Sequence, residues 1–327
     1  MTRSMNDAHT PLARIIEEEL AQPVPAEALT LATAIRQRHG AAVTAILFYG
    51  SCLRTRNVED GVLDFYVLVD SYRAAYSSLA LRWLNALLPP NVFYLEGRGG
   101  QKTMRAKYAV IANDDFARAA TLRSIPAIIW ARFCQPVRLV YLRDEQSRPV
   151  LVHSLVESAM TMVTRALALL PVSGDVVRFQ PEALWQQGFV ETYKTEFRAE
   201  RLETIQQLYR AAPDRYDRVA LEALRALERR GLLHVDSEDF PLCVSIAVRQ
   251  HRLLRRSWRM RRSLAKALYA VRLLKSAITY TDWFPYVLWK LERHTRVHIE
   301  PSKQQRKHPF LLGGPLILKL LLKGNFR

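Results

Sequence analysis

The chain has 327 residues and a formal net charge of +17, with 48 Lys+Arg against 31 Asp+Glu. That length supports two or three domains, and that charge calls for an anionic partner: nucleic acid, nucleotide or acidic lipid headgroups. Only Cys52, Cys134 and Cys243 occur, with no CxxC pair, which supports neither a disulfide framework nor a zinc cluster.

The polar start MTRSMNDAHTP carries no hydrophobic signal segment. IIEEELAQP predicts a short helix ending near Pro23, and EALTLATAIRQRHG a second helix with Gly40 as its C-cap. A buried strand, AAVTAILFY, runs into the turn Gly50-Ser51, and a second strand, LDFYVLVD, follows a polar loop with Asp64 at its mouth. Helix, strand, turn, strand in that order predicts a small α/β or α+β domain. Gly50 lets a phosphate approach the backbone and Ser51 offers it a hydroxyl. With an acid on the next strand, the pattern suits metal-assisted nucleotidyl transfer. The plain alternative is a pair of core strands with an incidental Gly-Ser turn.

Alternation places Asp64, Tyr66, Leu68 and Asp70 on one face of the second strand. Asp64 and Asp70 are then roughly 20 Å apart and cannot share an ion. Asp70 is expected to cap the helix that begins near Arg73. Val62 and Tyr66 flank Asp64 at two-residue spacing, so further acids must come from elsewhere. Residues 72–88 predict an amphipathic helix. NVFYLEG predicts a third strand ending at Glu96, the candidate second metal ligand, whose alternative role is a solvated strand end. Gly97 to Lys102 reads as a flexible basic loop able to cover phosphates. MRAKYAVIAN reads as a strand in which Lys107 either emerges at an edge or neutralises an anion. Asp114 is expected to cap the next helix, and VRLVYL to close the sheet.

These features divide the chain into a catalytic domain over 1–148, a helical domain over 149–245 with a winged-helix-like arrangement as one form of it, and a basic region over 246–327. The fold class expected is α+β: a mixed-sheet nucleotidyltransferase-like domain, then a helical middle domain, then basic C-terminal helices. In the middle domain, Tyr193, Lys194, Glu196, Phe197 and Arg198 combine binding groups with aromatics, or simply form a charged helix. From Arg249 to Lys275 no acid interrupts the basic residues. Arg255, Arg256, Arg261 and Arg262 are the cations expected to face anionic lipid or a nucleic-acid backbone; a solvated helix face is the alternative. Trp283 and Trp289 read as interfacial anchors or as core, and PFLLGGPLILKLLLKGNFR is too short and interrupted to span a bilayer. Any membrane contact is therefore expected to be peripheral.

Phe48-Tyr49-Gly50-Ser51, Leu63-Asp64-Phe65, Val69-Asp70, Val92-Phe93-Tyr94, Lys107-Tyr108 with Val110, and Trp130, Arg132, Gln135 and Pro136 together carry a likeness. The chain resembles the mitochondrial-type phosphatidate cytidylyltransferases, the translocator assembly and maintenance proteins, and their bacterial relatives. The likeness is firm over roughly Ala45 to Val140, with a weaker match at Tyr193 and Glu196-Phe197-Arg198. It implies formation of CDP-diacylglycerol and pyrophosphate from CTP and phosphatidic acid, with Mg2+, by a peripheral protein on the cytoplasmic face of the inner membrane. It implies that Gly50 and Ser51 hold nucleotide phosphates, Asp64 binds the metal, Lys107 neutralises phosphate and Arg198 joins from the middle domain. Cys52 departs from the family's YGSG, and its paired acid after the strand is here Asp70-Ser71. No nucleic-acid partner is expected on this reading. The rivals are a nucleotidyltransferase acting on RNA or another polar substrate, and a non-catalytic nucleic-acid-binding protein.

Overall fold

The computed structural model describes residues 10–57, 61–99, 102–195 and 202–279. Helix α1 (Pro11–Leu20) starts where Thr10 Oγ1 accepts from the Ala13 N–H at 3.2 Å, with proline in its first turn. Helix α2 (Ala26–His39) ends at Gly40, whose φ of 60° suits a residue without Cβ. Strand β1 (Val43–Tyr49), the short helix α3 (Ser51–Thr55) and strand β2 (Val62–Val69) follow. Next come α4 (Tyr72–Ala75), α5 (Leu79–Leu87), β3 (Asn91–Gly99), β4 (Lys102–Ala112), α6 (Asn113–Ala120), α7 (Trp130–Phe133) and β5 (Arg138–Leu142). The five strands make one sheet in the order β3-β4-β2-β1-β5. β2 and β4 are parallel and the other neighbours antiparallel, so the sheet is mixed.

Both faces of this sheet are covered. Leu63, Phe65, Val67 and Val69 of β2 join Ile46, Phe48, Ala106, Tyr108 and Val110 against α2. Tyr66 and Leu68 join Ala45, Leu47, Ala109 and Ile111 in a larger core with α1, α6, α7 and the helix α8 (Arg148–Leu167). That α8 is nearly all apolar or small explains its central place. The chain continues through β6 (Val176–Phe179), α9 (Pro181–Thr195), α10 (Leu202–Arg210), α11 (Pro213–Arg229), β7 (His234–Ser237) and β8 (Leu242–Ser245). β6, β8 and β7 form a second, antiparallel sheet in that order, with β7–β8 as a hairpin. The fold is thus the expected α+β class, a mixed sheet followed by helices. The larger core runs unbroken from Leu12 to Trp258, across the position where the sequence suggested a boundary at 148.

Helix α12 (Val248–Thr279) carries the acid-free basic run, and much of it is fastened down. Trp258 is buried, its Nε1–H donating to the Arg165 carbonyl at 2.9 Å and its ring edge-on to Trp130. Arg261 donates to the carbonyls of Leu122 and Ser124, Arg262 to Glu191, and Arg272 to the Pro89 carbonyl. Arg261 is therefore a clamp on the loop between α6 and α7 rather than a surface cation. Arg255 and Arg256 are exposed, as expected, and Arg262 is exposed but paired. Trp283 and Trp289 lie outside the described residues, as does Arg198.

Three local expectations are corrected. Asp70 does not cap α4: Ser71 Oγ accepts from the Ala74 N–H at 3.2 Å, and Asp70 makes a two-pronged pair with Arg143 at 2.5 and 2.8 Å. A carboxylate offered a guanidinium takes the charged partner and leaves the cap to a hydroxyl. Asp114 lies in the first turn of α6, whose N-cap is Ala112. The stretch Gly97–Lys102 is mostly ladder, because Gly97, Arg98 and Gly99 pair with Met104, Thr103 and Lys102.

Candidate functional site

Register builds the site. Tyr49 on β1 lies opposite Asp64 on β2, Asp64 opposite Lys107 on β4, and Lys107 opposite Tyr94 on β3. Paired residues share a face, so the four make one row across four strands. The row is on the face covered by α1 and α8, for the Tyr49 ring packs at a tilt against Tyr66 and Phe133, which belong to that core. Asp64 and Lys107 are both half-buried.

The turn after β1 closes onto this row. Gly50 has φ 92° and ψ −161°, a conformation essentially confined to glycine. A Cβ on Gly50 would lie 2.6 Å from Asp64 Oδ2. The Asp64 carboxylate therefore rests directly on the Gly50 backbone, beside the exposed Ser51 that opens α3. Cys52 is buried, with Sγ 3.3 Å from the Val62 carbonyl. A Cβ on Gly61 would fall 2.3 Å from that sulfur. The thiol thus fills the space under the start of β2, and Gly61 makes room for it.

The row has one acid. Tyr66, two residues beyond Asp64, is buried among Phe116 and Phe133, and its hydroxyl donates to the Ile128 carbonyl at 3.4 Å. Helices α6 and α7 cover that position, so it needs an aromatic rather than a charge. Glu96 is not alongside Asp64. It is opposite Arg105, which is itself opposite Val62. It lies two strands from Asp64 and two residues along, about 12 Å between Cα atoms. There it accepts from the Tyr94 hydroxyl at 2.7 Å and pairs with Arg105 at 3.4 Å. Burial and this acceptor push the Tyr94 phenol upward, so it stays protonated.

Among the described residues, no three of His, Cys, Asp and Glu gather into a metal-binding group. One carboxylate does not fit a protein-held metal pair. It does fit a single magnesium ion that takes its remaining oxygens from water and substrate phosphates, the usual arrangement for that ion.

Two arginines near one another, Arg138 and Arg56, were not singled out from the sequence. Arg138, paired with Phe48 in register, sends Nη1 to the Glu19 carbonyl at 3.1 Å. Burial lowers its pKa most, and Arg215 and Arg56 lower it further by repulsion, against Glu19. Arg56, which ends α3 with φ 55°, is near enough to Arg138 for the two charges to repel. The signal was available: Arg138 interrupts an apolar strand, as Lys107 does. Arg132, from the resemblance, donates to the Ile128 carbonyl at 2.8 Å.

No family model matches the chain, and no curated protein matches it. Among solved structures, a nucleotidyltransferase-like protein from Exiguobacterium sibiricum 255-15 aligns over 92% of each chain, at 11% identity and a TM-score of 0.26. A likeness that loose carries neither fold nor function. Among the described residues, no helix is long and apolar enough to cross a membrane.

Proposed function

We propose that the chain transfers a cytidylyl group from CTP to phosphatidic acid, releasing pyrophosphate, as a peripheral protein on the cytoplasmic face of the inner membrane. The observation that carries nucleotidyl transfer is the Asp64 carboxylate seated on the Gly50 backbone, with Lys107 directly across the parallel ladder. One acid, one lysine and a close-approach glycine at a strand mouth suit a polyphosphate.

In this reading a lipid phosphate oxygen forms a bond to the α-phosphorus of CTP, and the bond from that phosphorus to the bridging oxygen of pyrophosphate breaks. A phosphate monoester is largely dianionic near neutral pH, so no protein base is needed. Gly50 lets the triphosphate lie against the backbone, and the Ser51 hydroxyl donates to a phosphate oxygen. Lys107 offsets the charge that gathers on the leaving group. Asp64 would hold magnesium, which supplies Lewis-acid polarisation of the phosphoryl oxygens when bound.

The lipid acceptor is favoured over RNA by helix α12, acid-free and exposing the apolar Leu253, Met260, Leu264 and Val271 along with its cations. The test is incubation of purified protein with labelled CTP, phosphatidic acid and magnesium, followed by lipid extraction. Labelled CDP-lipid is expected, with Asp64→Asn at least about a hundredfold slower and Lys107→Ala weaker for CTP. Label that moves only to an added RNA would assign the rival transferase. No transfer to any acceptor would leave a binding protein.

A further inference from the structure

Helix α5 reverses the ordinary pattern of a surface helix. Its solvent side consists of Leu79, Ala80, Trp83, Ala86 and Leu87, all exposed and none of them polar. Leu79, Trp83 and Leu87 are 66%, 67% and 76% exposed. At spacing i, i+4, i+8 they form one stripe. The polar Asn85 instead faces inward at 0% exposure, donating to the Tyr76 hydroxyl at 3.1 Å and the Val110 carbonyl at 3.0 Å. Arg82 is turned aside to the Tyr76 carbonyl. The three large side chains present on the order of 400 Å² of contiguous apolar surface, which a monomer seldom leaves to water without a use.

We propose that this face of α5 seats in the interfacial layer of an anionic phospholipid bilayer. This deepens the lipid-acceptor reading above and rests on it for the identity of the lipid. A tryptophan between two leucines is the side-chain set of a membrane interface, with a large apolar body and one polar N–H. The charge is carried by helix α12. The Lys275 ammonium donates to the carbonyls of Leu88 and Pro90, and Arg272 to that of Pro89, so the far half of α12 is bolted to the C-terminal end of α5. Helix α12 has no acid in its 32 residues. It exposes Arg252, Arg255 and Arg256, and with them the apolar Leu253, Met260, Leu264 and Val271. Arg255 lies about 30 Å along the helix from Lys275, so the cations and the α5 stripe meet a membrane at separate points, the cations at anionic headgroups and the stripe over acyl chains. A second copy of the chain is the poorer occupant. A stable dimer buries about 800 Å² per partner, roughly twice this patch, and two copies of α12 repel.

The test uses the full chain without nucleotide, sedimented with phosphatidylcholine vesicles with and without phosphatidylglycerol. The wild type is expected to bind the anionic vesicles, less so as salt rises. The combined variant Leu79→Ser, Trp83→Ser and Leu87→Ser should keep the wild-type circular dichroism and bind at least about tenfold less. In the wild type, amide exchange over residues 79–87 should slow when vesicles are added. Equal vesicle binding by the variant, or exchange over 79–87 that vesicles leave unchanged, overturns the proposal. So does a wild-type dimer that the variant dissolves, which would give the face to a second copy. Because no nucleotide is present, vesicle binding by a protein that makes no CDP-lipid keeps this surface and removes only the proposed reaction. CDP-lipid formed from detergent-dispersed substrate by a protein that ignores vesicles removes only the surface.

Discussion

Gly50→Ala tests the contact on which the site is built. At φ 92° and ψ −161° an alanine is strained by about 1–3 kcal/mol before any neighbour is considered. Its Cβ would also lie 2.6 Å from Asp64 Oδ2, 3.2 Å from Asp64 Cβ and 3.3 Å from Asp64 Cγ, so the carboxylate must move. A shift of about 1 Å in a group that positions a reacting phosphate is worth on the order of a hundredfold in rate. The expected outcome is a melting temperature lower by roughly 3–8 °C, with turnover at least about a hundredfold down at a temperature where the variant is fully folded. The steric part can be isolated. In an Asp64→Ala background the carboxylate is gone, so Gly50→Ala should cost less stability there than in the wild type. Thermal denaturation of the four proteins in the cycle measures that coupling. Wild-type melting and wild-type turnover in Gly50→Ala would refute the seating of Asp64 on the turn. Equal stability losses in both backgrounds would refute the steric contact.

Other outcomes follow from the same geometry. Glu96→Gln should leave the magnesium titration unchanged, because Glu96 is held by Tyr94 and Arg105 away from Asp64, and should lower stability by less than about 1 kcal/mol. A raised magnesium requirement would bring Glu96 back to the metal. Burial holds His39 below its ordinary pKa, outweighing the Ala75 carbonyl that Nδ1 faces at 3.1 Å. Its contribution to stability is therefore fully present above about pH 6.5 and falls as the pH drops below that value, where the unfolded chain gains a proton that the folded chain resists. Melting at about pH 7 and about pH 5 should show a smaller pH-dependent loss in His39→Gln than in the wild type; identical losses would clear His39 of that role. Trp258→Ala should cost about 3–5 kcal/mol in chemical denaturation, since it empties a core position between α8 and α12. A loss under about 1 kcal/mol would make α12 an appendage.

The order of elements in the first 142 residues was readable because each carries a local rule. Gly40 ends α2, Gly50-Ser51 ends β1, and the period-two run around Asp64 is a strand. The extended hairpin of β3 and β4 was less readable. Gly97, Arg98 and Gly99 have loop composition, and they pair only because β4 continues past them. Asp70 and Asp114 are both cap residues by type, yet Asp70 had a guanidinium within reach and Asp114 falls one position inside the helix. Caps follow local preference only when no charged partner competes.

The sequence by itself determined the alternation that puts Asp64, Tyr66 and Leu68 on one face of their strand, and the glycine that such a turn requires. It also determined that α12 would be long and acid-free. Only the tertiary structure decided that Asp64 and Lys107 are neighbours, since that depends on β4 passing β2 in parallel with one particular register. Only it decided that Tyr66 belongs to the core beneath α6 and α7. The basic run is also divided there, into clamps such as Arg261 and Lys275 and exposed cations such as Arg255 and Arg256. The physical reason is common to all three. Helix and strand periods are written in residues close along the chain, whereas register, burial and the choice of a charge's partner depend on groups brought together from more than 40 to nearly 200 positions away.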